Sequence, residues 1–309
     1  MTVTVRASTP DDLEALLAFR TSDPVSWIGP DRYRQESGTR NYRPEWSFLA
    51  ERDGRPVGRA LWWGGPDAAK PSTLDDLIVD VPDDERVSVA AGLIRAGAQA
   101  FGTVPEWVID VAVDWHDDPL AVAAVAWRER AGRAAGLVRT TERVSVVWEP
   151  GTGLPTAHPD GDLVFRTGDD DEFLDLFARV TVGSLDAHTR ATVAELGAHG
   201  TAADDLEFYR TLPGRRQDWR IAEDADGLVV GFVLATRTAY DAAISYVGVL
   251  PQHRGRGIVD ALLAEALRIH AEAGEPRVVG TTDTDNVPMR RAFERAGFTV
   301  TKRRIVLEG

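Results

Sequence analysis

The sequence predicts a layered α/β or α+β protein with two tandem domains, each a mixed, mostly antiparallel sheet flanked by helices. The strand and helix patterns of the two halves follow the same order. A Pro/Gly-rich stretch without an apolar period separates the halves at residues 149–161, which is typical of an interdomain linker. The 309 residues are enough for two domains of ~150 residues. We therefore expect domains over residues 1–148 and 162–309, related by a tandem duplication.

Hydrophobic periodicity predicts the elements of the N-terminal half. In chain order these are the strand TVRAS, the helix PDDLEALLAFR, the hairpin SFLAERDGRPVGRALWW, the strand LDDLIVDV, the helix RVSVAAGLIRAGAQAF, the strand EWVIDVAVD, the helix PLAVAAVAWRERAGRAAG and the strand LVRTTERVSVVWE. The hairpin turns at Asp53-Gly54, a dipeptide that favours tight turns. Residues 24–45 show no clear period and are predicted to be irregular.

The C-terminal half repeats this outline. Its predicted elements are the strand LVFRT, the helix GDDDEFLDLFARV, one or two short helices over 184–213, the hairpin DWRIAED–LVVGFVLATRT, the strand AAISYVGVL, a helix over 255–273, the strand PRVVGTT, the helix VPMRRAFERAG and the strand FTVTKRRIVLE. Acids open the first helix, where the macrodipole favours them. Leu212-Pro213-Gly214 should end the helical region before the hairpin.

Composition restricts the classes of function. The net charge of −14 argues against a general binder of nucleic acids or anionic membranes, so any anion site must be local. The absence of cysteine excludes disulfides, cysteine-ligated metals and thiol nucleophiles. No apolar run approaches the ~20 residues that span a membrane, and the N-terminus lacks a signal-peptide pattern. We therefore expect a cytoplasmic protein with no nucleic-acid or membrane partner.

One turn combines two glycines with two arginines. It lies in VLPQHRGRGIVDALLAEAL, residues 249–267, between the strand AAISYVGVL and a long helix. N–H groups at a helix start have no intrahelical partner, and glycine lets a phosphate approach them. The turn has two interpretations, a pyrophosphate cradle or a simple reversal of the chain. Its spacing matches neither GxGxxG nor GxxxxGK[ST].

A longer pattern includes this turn and resembles the GCN5-related N-acetyltransferase (GNAT) superfamily. The motif Gln252-x-x-Gly255-x-Gly257 follows a strand and opens a helix. The next strand and helix carry the rest of the pattern: Asn286, Met289, Phe293 and Gly297-Phe298. The resemblance covers about residues 162–308. It implies an acyl-CoA site in this half, with acetyl-CoA as the co-substrate.

The resemblance implies roles for individual residues. The backbone of Val247 and Val249 would bind the pantetheine arm where their strand splays from its neighbour. The N–H groups from Arg254 to Gly257 would hold the pyrophosphate, and Asn286 would contact the arm or the reacting group. The cofactor-binding residues predicted in this way are Val247, Val249, Gln252, Arg254, Gly255, Arg256, Gly257, Asn286 and Phe293. Asn286 also suits the cap of the following helix.

The proton carriers usual in the family are missing from this chain. Acyl transfer to an amine needs an unprotonated amine, a polarised thioester carbonyl and a route for the proton. Phe293 stands where many members carry a tyrosine, and it falls on an apolar stripe that keeps only a packing role. Ala243 stands where many members carry a glutamate. Other residues must therefore handle the proton.

Three polar residues are candidates for that task, and each also fits an ordinary surface or turn position. Alternation along the strand AAISYVGVL groups Asp241 and Ser245 with Val247 on one side. Tyr246 should face the other side and pack. His188 lies in the segment that lines the acceptor site in this family. The predicted catalytic candidates are thus Ser245, Asp241 and His188, with a water relay through Ser245 as one route.

The N-terminal half is expected to have lost CoA binding. Its matching turn, VDVPDDERVSVAAGL, has no glycine before the helix, and its acids Asp83, Asp84 and Glu85 would repel a phosphate. The resulting plan is similar to that of tandem members of the family, in which one domain is better suited to catalysis. Most tryptophans of the N-terminal half should be core residues, and Trp27 is the best candidate to face a cleft. They are Trp27, Trp46, Trp62, Trp63, Trp107, Trp115, Trp127 and Trp148.

The function implied is transfer of an acetyl group from acetyl-CoA to the amine of a small molecule. A CoA-binding sensor with weak catalysis and an enzyme for another acyl group stay open as alternatives. His116-Asp117-Asp118 and the acidic run 169–172 fit no tetrahedral metal site, so we expect no metal. A tandem chain can act alone, so either a monomer or a homodimer is expected.

Overall fold

A computed structural model describes residues 3–155 and 163–309. The predicted linker therefore lies partly outside the described residues, from residue 156 onward. The chain divides into two compact units. Unit 1 contains the residues up to Glu142 together with Lys302–Gly309, and unit 2 contains Arg143–Thr301.

Unit 1 is a mixed sheet with helices. Its elements are β1 (Val3–Ala7), α1 (Leu13–Ala18), α2 (Pro30–Gly38), β2 (Ser47–Arg52), β3 (Arg55–Trp63), β4 (Thr73–Val79), α3 (Asp83–Phe101), β5 (Glu106–Val111), α4 (Pro119–Ala134), the start of β6 (Arg139–Trp148) and most of β12 (Thr299–Glu308). The strands lie in the order β1-β2-β3-β4-β5-β12. The β4–β5 pair is parallel, and the other pairs are antiparallel.

Unit 2 repeats this arrangement. Its further elements are β7 (Val164–Arg166), α5 (Asp170–Val180), α6 (Ala187–Thr211), β8 (Trp219–Glu223), β9 (Val229–Arg237), β10 (Ala242–Val249), α7 (Ile258–Glu272), β11 (Val278–Asp283) and α8 (Val287–Arg295). The strand order is β6-β11-β10-β9-β8-β7. Only the β10–β11 pair is parallel among the pairs described here. The predicted layered fold with two tandem domains is confirmed.

The unit boundaries run through two strands, which differs from the expected division at residues 148 and 162. Residues 143–148 of β6 pair with β11 inside unit 2. Residues 303–307 of β12 pair with β5 inside unit 1. The two strands have similar alternating sequences, so hydrophobic pattern alone does not tell which sheet each one joins.

Local sequence signals explain most element ends. Asp53 and Gly54 have φ of 51° and 75°, the left-handed pair that a two-residue hairpin turn requires. Asp169 caps α5 and receives the N–H of Glu172 at 2.9 Å. Helix α6 is broken at Gly197, whose φ of 72° and ψ of 170° leave two helical segments. Helix α2 was not predicted, because its sequence PDRYRQESG is almost wholly polar.

Apolar side chains fill the core of unit 1 and both faces of the sheet in unit 2. Five tryptophans pack in the unit 1 core: Trp46, Trp62, Trp107, Trp115 and Trp127. Trp148 packs in unit 2 instead, and Trp27 is only half-buried. One face of the unit 2 sheet packs against α7 and α8, and the other packs against α5 and α6. In the described ranges, no helix has the length and apolar character needed to cross a bilayer.

Candidate functional site

Strands β10 and β11 of unit 2 separate soon after they pair. Their parallel ladder consists of Ala242 with Val278 and Ala243 with Val279. The other edge of β10 stays paired with β9 as far as Val249. Beyond Ala243, the edge of β10 toward β11 therefore has no strand partner among the described residues. The splay expected at Val247 and Val249 is present, and it leaves an opening between the two strands.

A β-bulge at Ser245 reorients the side chains along this opening. Ile244 and Tyr246 pair with consecutive residues of β9, so Ser245 is the extra residue. After the bulge, Val247 and Val249 pack toward α7, whereas Tyr246 packs toward α5 and α6. Ser245 instead bonds Thr236 of β9. The simple alternation used to group Ser245 with Val247 is therefore wrong, because it assumed an unbroken strand.

The glycine turn lies at the end of β10. Gly255 and Gly257 have φ of 77° and 74°, a backbone conformation that residues other than glycine rarely adopt. Gly257 is the N-cap of α7. Within the described ranges, the N–H groups of Gly255, Arg256 and Gly257 have no intramolecular acceptor. The turn thus presents unpaired donors and a helix N-terminus, an arrangement suited to an anion.

The polar side chains of the turn have different roles. The Arg254 guanidinium donates to the carbonyls at the end of α5, at 2.8 Å from Val180 and 2.7 Å from Val182. It therefore anchors the turn and is committed to backbone oxygens. Arg256 is exposed and contacts His253 Nδ1 at 3.2 Å, and Gln252 is exposed. Arg256 is the cation that the turn offers to solvent.

Asn286 and Phe293 lie at the opposite strand. Asn286 caps α8, since its Oδ1 accepts the Met289 N–H at 3.3 Å. Its amide Nδ2 has no partner in the part of the chain that the structure describes. Phe293 is buried, and a Cβ on Gly280 of β11 would come within 2.9 Å of its ring. Phe293 therefore supports β11 from the core, as its apolar stripe predicted.

Helix α6 spans the opening between the splayed strands. At its start, the Ala187 N–H donates to Asp283 of β11 at 2.6 Å. Near its end, the Tyr209 ring stacks on Tyr246 of β10, with centroids 5.2 Å apart. Arg143 holds the first contact in place through Asp283 at 3.2 Å. The two helical segments of α6, which separate at Gly197, thus contact β11 and β10 respectively.

Asp205 lies on α6 one turn before Tyr209. Burial raises the pKa of its carboxyl to about 6, and the nearby His188 opposes that rise. Burial also raises the pKa of Tyr209 and of Tyr246, so both phenols stay protonated near neutral pH. Neither phenol has a hydrogen-bond partner within the described residues. The Asp205 carboxylate also acts electrostatically on both phenols.

The predicted catalytic candidates are not brought together. Asp241 precedes β10 at the closed end of the opening, where both oxygens bind Arg277 at 2.6 and 3.0 Å. His188 lies in the first turn of α6, near Asp205. Sequence reasoning missed Asp205, Tyr209 and Tyr246. The i,i+4 spacing of the first two was a usable signal, whereas the position of Tyr246 depends on the bulge.

The corresponding region of unit 1 is built differently. Strands β4 and β5 also pair at only two positions, and β4 has a bulge at Asp75. The chain itself crosses between these strands: the Ser26 N–H donates to the Asp110 carbonyl at 2.8 Å, and the Ile28 N–H to Asp76 at 3.3 Å. No residue of the β4–α3 turn has a positive φ, and α3 opens with three acids.

The described residues contain no group of three or more His, Cys, Asp or Glu side chains placed to hold a metal ion. The Arg143, Asp186 and Asp283 side chains instead form ion pairs at 3.5 and 3.2 Å.

Known proteins resemble this chain in sequence and in fold. A family model described as "Acetyltransferase (GNAT) family" matches residues 192–298. A mycothiol acetyltransferase of Clavibacter michiganensis subsp. michiganensis is 29% identical over 250 residues, covering 80% of this chain and 74% of that protein. One from Clavibacter sepedonicus is 36% identical over 78 residues, covering 25% and 26%. The solved structure of a GCN5-related N-acetyltransferase from Sphaerobacter thermophilus has a TM-score of 0.57 at 18% identity, covering 98% and 94%.

Proposed function

We propose that the chain is a tandem acetyltransferase of the GNAT superfamily, similar in plan to mycothiol synthase, and that its unit 2 binds acetyl-CoA and transfers the acetyl group to the amine of a small molecule. One observation supports this assignment to unit 2 above all. The glycine turn with unpaired N–H groups lies directly beside the opening between β10 and β11. In unit 1, the chain itself crosses the equivalent opening.

The residues of unit 2 fit the parts of the co-substrate. The N–H groups of Gly255, Arg256 and Gly257 and the start of α7 suit the pyrophosphate. The free edge of β10 at Val247 and Val249 offers backbone partners to the pantetheine amides. Acetyl-CoA supplies an acetyl group activated as a thioester, so the amine nitrogen bonds the acetyl carbon, the C–S bond breaks, sulfur leaves with one proton and a second proton reaches solvent.

The acceptor is proposed to be a small primary amine. One relative, similar over 250 residues, is a mycothiol acetyltransferase, so the acceptor of such enzymes is the first to test. We define an amine panel for the assay as that acceptor together with benzylamine, tyramine, glucosamine and lysine. Release of free CoA above the blank with any member would support the proposal, and no release with all of them would contradict transfer to a small amine.

The CoA site is tested by replacing one glycine. Gly255→Val should weaken CoA binding at least about tenfold, because a β-branched residue resists the positive φ and shields the donors of the turn. Binding is measured by isothermal titration calorimetry.

Gly227→Val is the matched control, since Gly227 has nearly the same φ of 75° and equally open space at its Cβ, but lies in the β8–β9 turn. Both variants should lose similar stability, and only Gly255→Val should lose CoA. Equal CoA affinity in both variants would contradict the proposal that the glycine turn binds the pyrophosphate.

A CoA-binding protein without turnover is the second candidate function. It is favoured by Phe293 and Ala243, which supply no proton carrier at the opening. Calorimetric binding of acetyl-CoA together with no CoA release across the amine panel would select this candidate. A different acyl group on CoA that co-purifies with the protein, detected by mass spectrometry, would instead indicate transfer of that group.

A further inference from the structure

We propose that Asp205 binds the ammonium group of the acceptor and removes its proton, beside the stacked rings of Tyr209 and Tyr246. This inference rests on the proposed acetyl transfer by unit 2. It names the acceptor as a cation and assigns it a base that the sequence pattern did not reveal.

The position of Asp205 follows from two contacts of α6 and from the helix period. The N-terminus of the helix is bonded to Asp283 of β11, at 2.6 Å. Tyr209, one turn after Asp205, stacks on Tyr246 of β10. Residues four apart share a helix face, so Asp205 and Tyr209 point toward the same side. Asp205 is therefore on the side of α6 that faces Tyr246 and β10, the strand whose edge beyond Ala243 has no strand partner among the described residues.

The break at Gly197 brings a second group to the carboxylate. His188 and Asp205 are far apart in sequence, yet His188 acts electrostatically on the Asp205 carboxyl. The left-handed φ at Gly197 separates the helical segments 187–196 and 198–211 and allows the first to turn back toward the second. His188 is exposed, so the charge that acts on the carboxylate lies at the protein surface.

The surroundings of Asp205 favour a cation. Asp186 and Asp204 add negative charge next to it, and the charges opposing them are His188 and Arg143. Arg143 is already paired with Asp186 and Asp283. The neighbouring phenols are neutral, and a ring face attracts an ammonium ion. Behind these phenols, the fully buried rings of Phe177 and Phe232 pack against Tyr246.

The proton step is simple. A primary alkylammonium has an N–H bond to break, and its proton moves to an oxygen of the Asp205 carboxylate while the nitrogen keeps the electron pair. The proton then passes to water. Burial raises the pKa of Asp205 to about 6, so the group is ionised at neutral pH and is a stronger base than an ordinary carboxylate.

The first test is the pH profile of kcat/KM with the amine panel. In the wild type, kcat/KM should rise about tenfold per pH unit below 6 and level off above it, because only ionised Asp205 accepts the proton. Asp205→Asn should lower the plateau roughly 100-fold and remove this acidic limb. Asp205→Glu should restore part of the plateau in kcat/KM and part of the acidic limb. An acidic limb that persists near pH 6 in Asp205→Asn would overturn the proposal.

Glu207→Gln is the matched control, because Glu207 is an exposed acid of the same helix, two residues after Asp205 and therefore on another side of it. Its kcat/KM should stay within about threefold of the wild-type value and keep the acidic limb. Its melting temperature should equal that of Asp205→Asn. An equal loss of kcat/KM in both variants would indicate that the negative charge of the region as a whole matters, and it would overturn the specific role of Asp205.

The second test does not depend on turnover. In protein labelled with ¹³Cγ-aspartate, the resonance missing from Asp205→Asn should titrate near pH 6 and shift when benzylammonium is added. Benzyl alcohol, which has the same ring without the charge, should cause no such shift. A resonance insensitive to both would overturn the cation site. Failure of the acetyl-transfer proposal is distinguishable, since it would appear as absent CoA binding with the benzylammonium shift retained.

Discussion

Arg59 on β3 has no exposed surface and is held inside unit 1 by one carboxylate and two carbonyls. Its guanidinium donates to Asp76 of β4 at 3.0 Å and to the carbonyls of Leu16 and Ile28. Asp76 in turn accepts the Ile28 N–H at 3.3 Å. The buried pair thus fastens the segment before α2 to the sheet, at the place where unit 2 keeps an opening.

Asp76→Ala should reduce the free energy of unfolding by about 3–5 kcal/mol, because it leaves the Arg59 charge buried without its partner. Urea denaturation followed by tryptophan fluorescence measures the loss. Asp31→Ala is the control, since it removes an exposed partner of Arg34 at 3.5 Å and should change stability by less than about 0.5 kcal/mol. Similar losses in both variants would contradict a buried charge pair that depends on Asp76.

Residue-scale signals in the sequence located only part of the candidate site. The glycine turn could be predicted because its spacing and its place before a helix are local properties of the chain. Asp205 and Tyr209 are one helical turn apart in the sequence, but their importance depends on a helix that crosses from β11 to β10. Tyr246 was predicted to pack away from the site, because a bulge leaves no mark in hydrophobic alternation.

At the scale of the element, α3 contains two glycines in different surroundings. A Cβ at Gly97 would come within 2.4 Å of the Trp62 side chain on β3. The nearest atom to a Cβ at Gly92 is a methyl of Val5, at 3.8 Å. Gly97 therefore sets how closely the helix approaches the sheet, whereas Gly92 only lowers the helical propensity.

Alanine at these two positions should have opposite effects on stability. Gly97→Ala should cost about 1–3 kcal/mol by overpacking against Trp62. Gly92→Ala should raise the free energy of unfolding by up to about 1 kcal/mol, since alanine loses less backbone entropy in a helix. Chemical denaturation of both variants measures the two effects. A stabilising Gly97→Ala would show that the helix can shift away from the sheet without loss.

Elements with strong periodicity were predicted well, and polar ones were not. The stripes of α7 and α8 and the apolar strands β9 and β10 follow directly from burial of one face or both. Helix α2 buries little besides Tyr33 and Glu36, so its sequence carries no apolar stripe. Tertiary contacts stabilise such a helix, and these are invisible in a local pattern.

At the scale of the whole molecule, each unit is completed by a strand from the other part of the sequence. Ile305 and Leu307 of β12 are 2% and 1% exposed and lie in the unit 1 core. Residues 143–148 of β6 extend the sheet of unit 2 beside β11. A division of the chain at 148 and 162, as the sequence suggested, would therefore remove a sheet strand from each unit.

Truncation after Thr301 should destabilise unit 1 although it leaves residues 1–142 intact. Loss of the buried Ile305 and Leu307 and of the ladder to β5 should cost roughly 5 kcal/mol or more. Because five buried tryptophans report on unit 1, their cooperative fluorescence transition should shift to much lower urea. Truncation only after Leu307 is the control and should leave the transition near its original midpoint. An unchanged transition in the shorter chain would contradict the division into units.

The strand taken from residues 302–309 also bears on the order of events during protein synthesis. Domains generally fold as units while the ribosome is still making the chain. Here the edge of β5 that pairs with β12 stays unpaired until the ribosome has also synthesised all of unit 2. Such an edge can pair with other nascent chains. The folding of unit 1 can therefore be completed only after unit 2 has been synthesised, and the yield of the protein in cells should depend on chaperones that shield the unpaired strand edge.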